Sequence, residues 1–106
     1  MMNINIFGST GVIGQKTLLI LKKNFPKIKV NLLCANNNIN KLIKQINTFN
    51  PKYVHLNNER KSSILKKNIS KKIKIFNSHE LSHYLLNSKS DYTILAISGY
   101  KSLNFL

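Results

Sequence analysis

Three glycines near the N-terminus have the spacing of a phosphate-binding turn. Gly8, Gly11 and Gly14 form a G-x-x-G-x-x-G pattern between a short apolar run, Ile4–Phe7, and a helix-like stretch. Glycine permits a sharp turn after a strand, a close approach of the backbone to a pyrophosphate, and tight packing of the helix on the sheet. The first amides of the helix then face the phosphates, and the helix dipole favours their charge. The pattern predicts a dinucleotide-binding turn, and a glycine turn that serves packing alone is the alternative.

The hydrophobic periodicity predicts strands and helices in alternation. We predict strands over residues 3–7, 28–34, 53–56, 73–76 and 92–98, and helices over 12–24, 40–49, 59–68 and 78–87. A further turn is expected at Gly99, followed by the start of another helix. The buried face of the first helix is expected to carry Ile13, Thr17, Ile20 and Leu21. Ser78 is expected to cap the helix that it begins.

This alternation determines the fold class that we expect. Strands separated by helices form a parallel sheet with right-handed crossovers, so we predict an α/β, Rossmann-like sheet with flanking helices. The length of 106 residues allows one small domain, residues 1–106. Because the chain stops soon after an apolar strand, we expect this domain to be C-terminally incomplete, with an exposed edge strand.

Cysteine content and hydropathy indicate where the protein works. Cys34 is the only cysteine, so an internal disulfide framework is excluded and a reducing compartment fits. The N-terminus has no charged segment followed by an apolar segment, as a secretory signal would. No apolar run approaches the length of a transmembrane helix. We therefore expect a cytoplasmic protein with no membrane partner.

The formal net charge of +14 raises the question of nucleic-acid binding. Lysine supplies 16 of the 17 basic residues and is accompanied by many Asn and Ile residues, all encoded by AT-rich codons. The lysines are scattered, and no aromatic residues alternate with them as a stacking surface requires. Codon bias accounts for this charge, so we predict no specific nucleic-acid partner and only weak, salt-sensitive binding.

Three asparagines follow the second predicted strand, where residues that bind the ribose are expected. Asn36, Asn37 and Asn38 occupy the position at which an acidic residue would bind the ribose 2′-hydroxyl of NAD. No carboxylate is present to repel a 2′-phosphate, and the side-chain amides can donate hydrogen bonds to one. The loop therefore favours NADP over NAD. The alternative is an ordinary polar loop in which Asn38 caps the next helix.

Two other groups of residues have types that could carry chemistry. His79-Glu80-Leu81-Ser82-His83 matches the H-E-x-x-H zinc signature, but Asp91 is nearly the only candidate for a third ligand. We predict no metal site there, and expect Leu81 and Leu85 to face the sheet. Cys34 and His55 have no neighbours in sequence that suggest a nucleophile. No catalytic residue is predicted in this chain.

Three stretches resemble 1-deoxy-D-xylulose 5-phosphate reductoisomerase, an enzyme family of non-mevalonate isoprenoid biosynthesis. They are Ile6-Phe7-Gly8-Ser9-Thr10-Gly11-Val12-Ile13-Gly14, Phe49-Asn50-Pro51-Lys52-Tyr53-Val54, and Ala96-Ile97-Ser98-Gly99 with Leu103. The resemblance implies an NADPH-binding segment in which Thr10, Gly11, Val12 and Ile13 contact the pyrophosphate, and Asn38 lies near the adenosine end. The family usually has Gly and often a basic residue before that Asn, where this chain has Asn36 and Asn37.

The resemblance also implies what the 106 residues lack. The family's acidic ligands for a divalent cation, Mg or Mn, its substrate-phosphate residues and its flexible catalytic loop lie beyond Leu106. The family enzyme is a homodimer that converts 1-deoxy-D-xylulose 5-phosphate, a sugar phosphate, to 2-C-methyl-D-erythritol 4-phosphate. We therefore expect these residues alone to bind NADPH without catalysis. The alternatives are part of another NADP reductase, such as a semialdehyde dehydrogenase or a dihydrodipicolinate-type reductase, a non-catalytic remnant, and a basic nucleic-acid-binding module.

Overall fold

The computed structural model describes residues 2–87 and 90–96, in which strands and helices alternate as predicted. The strands are β1 (Asn3–Phe7), β2 (Lys29–Ala35), β3 (Tyr53–Leu56), β4 (Lys74–Phe76) and β5 (Tyr92–Leu95). The α-helices are α1 (Val12–Asn24), α2 (Ile39–Phe49), α3 (Ser62–Lys67) and α4 (Ser78–Asn87), and a 3-10 turn, Glu59–Lys61, precedes α3. The predicted end of the last strand at 97–98, and the turn and helix after it, lie outside the described residues.

All five strands pair in parallel, in the order β4-β3-β2-β1-β5. The predicted Rossmann-like parallel sheet is therefore confirmed. Phe7, the last residue of β1, pairs with Cys34 of β2 and with Leu95 of β5. Because the strands run in one direction, the segments that follow β1, β2 and β3 meet at one edge of the sheet. We call this edge the carboxyl edge.

One face of the sheet is covered by α1, α2 and α3. Strand residues such as Ile6 and Leu33 pack there against Leu18 of α1, Leu42 of α2 and Leu65 of α3. Leu33, Leu42 and Leu65 have no exposed surface, and burying a leucine contributes about 1.5–3 kcal/mol each. These contacts form the larger core and hold α1 and α2 beside the carboxyl edge.

The buried face of α1 differs from the one that the periodicity predicted. Gly14 and Leu18 are buried and Leu21 is partly buried, whereas Ile13 and Ile20 are 51% and 52% exposed. The prediction is therefore wrong for Ile13 and Ile20, by one residue or about 100° of helix rotation, whereas Thr17 and Leu21 are partly buried. The physical reason is the fit of Gly14 against the preceding turn: only glycine can lie there, so its position fixes the rotation of the helix.

The other face of the sheet is covered by α4, which crosses from β4 at one edge to β5 at the other. Leu81 is buried, and the rings of Tyr53, Phe76 and Tyr84 lie 4.7–5.3 Å apart in a second cluster. Leu85, which was expected to face the sheet, is 37% exposed. Leu81 and Tyr84 make the contacts of α4 with the sheet, and no second helix of the described residues covers this face. No helix in the described part of the chain is long and apolar enough to span a membrane.

The cap of α4 is Asn77, so the prediction of Ser78 is wrong by one residue. The amide of Glu80 donates to Asn77 Oδ1 at 2.8 Å, and the amide of Asn77 donates to Glu80 Oε1 at 3.0 Å. This reciprocal pair is a capping box with Asn in the cap position. Ser78 instead donates its amide and its hydroxyl to Glu59 Oε1, at 2.9 and 3.1 Å.

Candidate functional site

The glycine turn lies at the carboxyl edge and is anchored to the neighbouring strand. Gly8 has φ 75°, a conformation that favours glycine. The amides of Gly8 and Ser9 both donate to the Cys34 carbonyl, at 2.9 and 3.0 Å, and the Gly11 amide donates to the Gly8 carbonyl at 3.1 Å. The turn therefore reverses sharply out of β1 while it stays bonded to the end of β2.

Gly11 and Gly14 are required for different reasons. A Cβ on Gly14 would overlap the Gly8 carbonyl oxygen and come within 2.8 Å of Ser9 Cα, so α1 packs on the turn only without a side chain there. A Cβ on Gly11 would meet only the Gly8 oxygen, at 3.4 Å, an ordinary contact. Gly11 has φ −75° and is exposed, so neither its backbone nor any neighbour among the described residues demands glycine. Of the described residues, only Gly8 comes within 4 Å of the position that a Cβ on Gly11 would take.

The first turn of α1 has no side-chain cap. Its N-cap residue is Gly11, and no side chain bonds to its first amides. By contrast, the amides that begin α2 and α4 are capped by Asn38 and Asn77. The first amides of a helix lack partners within the helix, and together with the dipole they attract anions. Since Val12 is 69% exposed, this uncapped helix end lies at the surface beside the glycine turn.

Two glutamines fix the orientation of peptide groups in the turn. Gln45 of α2 donates from Nε2 to the Ser9 carbonyl at 2.7 Å, and Gln15 of α1 donates to the Thr10 carbonyl at 2.8 Å. In a trans peptide the C=O and the next N–H point in opposite directions. The bond from Gln45 therefore directs the Thr10 amide away from α2. Sequence reasoning missed both residues, because an isolated glutamine within a helix carries no signal of such a role.

Two buried polar atoms at the turn have no hydrogen-bond partner among the described residues. They are Ser9 Oγ and Gln45 Oε1. Leaving a buried polar atom unpaired costs about 1–3 kcal/mol, so native structures contain few of them. Both belong to the pair of residues that holds the turn to α2. Unsatisfied groups of this kind tend to lie where function takes precedence over stability.

The three asparagines of the predicted ribose loop follow β2 at the same edge, and all are exposed. Each uses its Oδ1 as an acceptor within the protein: Asn36 from Asn57 Nδ2 at 3.4 Å, Asn37 from Lys61 Nζ at 3.1 Å, and Asn38 from the Lys41 amide at 3.1 Å. Asn38 therefore caps α2, as the alternative interpretation of this loop predicts. For Asn37 and Asn38 the partner is an obligate donor, so the side-chain oxygen must face it. Their Nδ2 groups remain as donors toward solvent.

The remaining candidates do not form a reactive site. Cys34 and His55 pair across β2 and β3, a proximity that their separation in sequence did not indicate. The His55 ring nitrogens already contact the Phe76 carbonyl at 2.8 Å and Asn57 Oδ1 at 3.2 Å. Burial raises the pKa of the Cys34 thiol, so the reactive thiolate is disfavoured.

The H-E-x-x-H segment has a structural role through Glu80. This carboxylate bonds to the Asn77 amide and pairs with Lys74 Nζ at 3.1 Å, and these contacts lower its pKa. His79 and His83 are exposed on α4. Within residues 2–87 and 90–96, no group of three or more His, Cys, Asp or Glu side chains could hold a metal ion.

Comparisons with a protein family and with curated proteins point to the same family. Residues 4–105 match the family described as 1-deoxy-D-xylulose 5-phosphate reductoisomerase. The curated 1-deoxy-D-xylulose 5-phosphate reductoisomerase of Pelagibacter ubique (strain HTCC1062) is 40% identical over 106 residues, which cover 97% of this chain and 27% of that protein.

Solved structures share the fold. The reductoisomerase from Zymomonas mobilis in complex with NADPH matches with a TM-score of 0.75 and 22% identity, over 87% of this chain and 25% of that one. DOX-P reductoisomerase in complex with NADPH, fosmidomycin and magnesium matches with a TM-score of 0.77 and 22% identity, over 97% of this chain and 26% of that one.

The chain thus spans about a quarter of the length of the relatives that it matches, 27% of the Pelagibacter protein. The family match extends over nearly all of the chain, from residue 4 to residue 105. The chain belongs to the 1-deoxy-D-xylulose 5-phosphate reductoisomerase family.

Proposed function

We propose that residues 1–106 form a Rossmann-like domain that binds NADPH, with the pyrophosphate on the glycine turn. The observation that carries this proposal is the uncapped first turn of α1, which begins at an exposed glycine that no contact with the described residues requires. Uncapped amides and a site free of side chains are what a pyrophosphate needs. The family relatives whose structures contain NADPH support the choice of ligand.

The residues of the turn take distinct roles in this proposal. Gly8 makes the turn and Gly14 allows α1 to pack on it, as their conformation and surroundings require. Gly11 leaves room for the phosphates. Thr10, Val12 and Ile13 offer backbone amides, of which the Thr10 amide is oriented through the bond between Gln45 and the Ser9 carbonyl.

Asn36, Asn37 and Asn38 bind the ribose and its 2′-phosphate in this proposal. Asn37 and Asn38 use Oδ1 within the protein, which leaves Nδ2 donors for an anion. No carboxylate stands in the loop to repel a phosphate. The loop therefore favours NADPH over NADH.

We further propose that the chain serves the family reaction, conversion of 1-deoxy-D-xylulose 5-phosphate to 2-C-methyl-D-erythritol 4-phosphate, in non-mevalonate isoprenoid biosynthesis. NADPH supplies the hydride of that reaction. The described residues hold no cluster of His, Cys, Asp or Glu side chains that could bind the divalent cation that the family uses. In this proposal the substrate is a sugar phosphate. The enzyme is a cytoplasmic homodimer that has no membrane partner and no specific nucleic-acid partner.

Thermal unfolding of the 106-residue chain with each nucleotide tests the binding function. A ligand at about 100 times its Kd stabilises the folded state by about 2.7 kcal/mol, which is a readily measured rise in Tm. We expect NADPH to raise the Tm more than NADH does. No shift with either nucleotide contradicts the proposal and favours a non-catalytic remnant. Binding of DNA that resists salt, without a nucleotide response, favours the basic nucleic-acid-binding module.

A turnover assay tests the expectation that these residues alone do not catalyse. With 1-deoxy-D-xylulose 5-phosphate, NADPH and magnesium, we expect no oxidation of NADPH above the rate without protein. The physical reason is that the described residues contain no ligand cluster for the cation. Product formed by the 106-residue chain would overturn this expectation.

A further inference from the structure

Backbone hydrogen bonds hold the segment after β3 against the loop of Asn36, Asn37 and Asn38, which we call the asparagine loop. The Asn57 amide donates to the Ala35 carbonyl at 2.9 Å, and the Asn58 amide donates to the Asn36 carbonyl at 3.0 Å. The parallel pairing of β2 and β3 thus extends into the loops that follow them. This extension places the 3-10 turn, Glu59–Lys61, beside the asparagine loop.

Lys61, the last residue of that turn, reaches the loop directly. Its Nζ lies 3.1 Å from Asn37 Oδ1 and 3.5 Å from the Asn37 carbonyl oxygen. These contacts hold the ammonium group at the loop, where it remains exposed to solvent. An ammonium group has three donors, and two contacts with Asn37 leave one for a further acceptor.

The charge of Lys61 is not neutralised by a carboxylate of the described residues. Of the three acidic residues in the chain, Glu80 pairs with Lys74, and Asp91 bonds to the Asn3 amide near the start of β1. Glu59 lies in the same 3-10 turn, but its Oε1 accepts both bonds from Ser78, and these bonds lower its pKa. A cation held in place without a counter-ion, next to amide donors, is suited to an anion.

We propose that Lys61 is the cation that recognises the 2′-phosphate of NADPH and makes this site selective against NADH. This inference rests on the proposed NADPH-binding function and adds a residue to it. The phosphate accepts from Lys61 Nζ and from the Nδ2 groups of the loop, and Asn37 connects the two by accepting from Lys61 with its Oδ1. The hydroxyl of NADH offers no charge to this cation.

Binding measurements on matched variants test the assignment. The Kd for NADPH and for NADH is measured by fluorescence titration of the 106-residue chain and of Lys61→Gln, Lys61→Arg, Arg60→Gln and Lys23→Gln. We expect Lys61→Gln to weaken binding of NADPH by about two- to fivefold, the range for an exposed charge pair, and to leave binding of NADH unchanged. Lys61→Arg is expected to restore NADPH binding, since it restores the charge.

The two control variants remove the same charge elsewhere. Arg60 is exposed and makes no hydrogen bond or ion pair with any described residue, although it precedes Lys61. Lys23 lies in the last turn of α1, which leads to the opposite edge of the sheet. Both variants are expected to keep the wild-type ratio of the two Kd values, apart from a small uniform effect of net charge. A loss with Arg60→Gln equal to that with Lys61→Gln would overturn the assignment.

Competition separates the 2′-phosphate from other anions. Adenosine 2′,5′-bisphosphate is expected to lose affinity in Lys61→Gln, whereas adenosine 5′-monophosphate, which has no 2′-phosphate, is expected to compete equally in wild type and variant. If wild type prefers NADPH and Lys61→Gln keeps that preference, this inference is wrong and the proposed function stands. If wild type binds neither nucleotide, both are overturned.

Discussion

At the scale of single residues, three glycines with the same spacing meet different physical demands. Gly8 needs a positive φ, Gly14 needs the absence of a Cβ, and Gly11 needs neither among the described residues. In the proposed function, glycine at position 11 leaves room for a ligand close to the backbone. Substitutions at Gly11 and Gly14 therefore separate folding from binding.

Gly14→Ala is expected to destabilise the fold more than Gly11→Ala does. Alanine is favoured over glycine inside a helix by about 1 kcal/mol. Overlap with the backbone at Gly8 and Ser9 costs about 3 kcal/mol, so we expect a net loss of about 2 kcal/mol for Gly14→Ala. Gly11→Ala is expected to lower the free energy of unfolding by no more than about 1 kcal/mol, because alanine is a poorer N-cap than glycine, and to weaken NADPH binding. Urea unfolding and nucleotide titration measure the two effects.

These two variants have to behave differently for the assignment to hold. Equal destabilisation by both would mean that Gly11 has a structural role. Unaltered NADPH affinity in a folded Gly11→Ala variant would place the pyrophosphate elsewhere.

Gln45 acts on the turn and not on the ribose, so its substitution should not discriminate between nucleotides. Gln45→Leu removes the bond to the Ser9 carbonyl and also the unpartnered Oε1, so stability is expected to change by no more than about 1 kcal/mol. Loss of one such bond is expected to weaken the binding of NADPH and of NADH alike, by about fivefold in Kd. Asn47→Leu on the exposed side of α2 is the control. A loss confined to NADPH would argue against a role at the pyrophosphate.

At the scale of elements, the N-termini of the helices divide into two kinds. Asn38 and Asn77 close α2 and α4 with side-chain caps, whereas α1 begins at a bare glycine and α3, which continues from a 3-10 turn, has no side-chain cap. A side-chain cap stabilises the protein by about 1 kcal/mol. At an uncapped end, the first backbone amides can instead donate hydrogen bonds to a ligand. The caps of α4 involve charge and therefore depend on pH.

The capping box of α4 predicts loss of stability in acid. Bonding to the Asn77 amide, and then the contacts with Lys74, lower the Glu80 pKa from its ordinary 4.5. A group with a lowered folded pKa contributes fully above its unfolded pKa, and the contribution is lost as pH falls through the folded value. We expect the Tm to fall below about pH 4.5. In Glu80→Gln the fall is expected to be less steep, because the introduced amide keeps an acceptor oxygen that does not titrate.

The measurement is the Tm between about pH 3 and pH 7 at constant ionic strength. Glu59→Gln is expected to act in the same direction, because hydrogen bonds from Ser78 lower the pKa of Glu59. The double variant should therefore have the shallowest dependence of the three. If the Tm of the double variant falls in acid as steeply as that of wild type, other groups are responsible for the acid sensitivity.

At the scale of the whole molecule, charge dominates. The net charge is +14 on 106 residues, and the described residues contain a single salt bridge, between Lys74 and Glu80. Repulsion between lysines opposes compaction, and salt screens it, since the Debye length falls from about 30 Å at 0.01 M to about 10 Å at 0.1 M.

We therefore expect added salt to stabilise this protein. The Tm in sodium chloride is expected to rise between about 0.01 M and 0.3 M, because screening relieves many repulsions and weakens few attractions. Differential scanning calorimetry or circular dichroism measures the change in Tm. Replacement of the exposed Lys66 of α3, Lys66→Glu, is expected to reduce the rise in Tm with salt, because it lowers the net charge. A Tm that falls with salt would mean that favourable ion pairs outweigh the repulsion.

The sequence by itself determined the alternation of strands and helices, the glycine turn, and the cap at Asn38. These features depend on residues close together in the chain: the spacing of apolar side chains, the freedom of glycine, and the bond between a cap and an amide three residues later. The choice between Asn77 and Ser78 as cap is also local, but adjacent residues with equal capping ability leave it open.

Only the tertiary structure decided which distant residues serve the site. The rotation of α1 follows from the fit of Gly14 on the turn, which outweighs the periodicity of Ile13 and Ile20. Gln45 reaches the turn from 36 residues away, and Lys61 reaches Asn37 from 24 residues away. These contacts depend on the order of strands in the sheet, because β2 lies between β1 and β3 and the loops after the three strands meet at one edge. Strand order is set by packing of the whole chain, so no local pattern of residues encodes it.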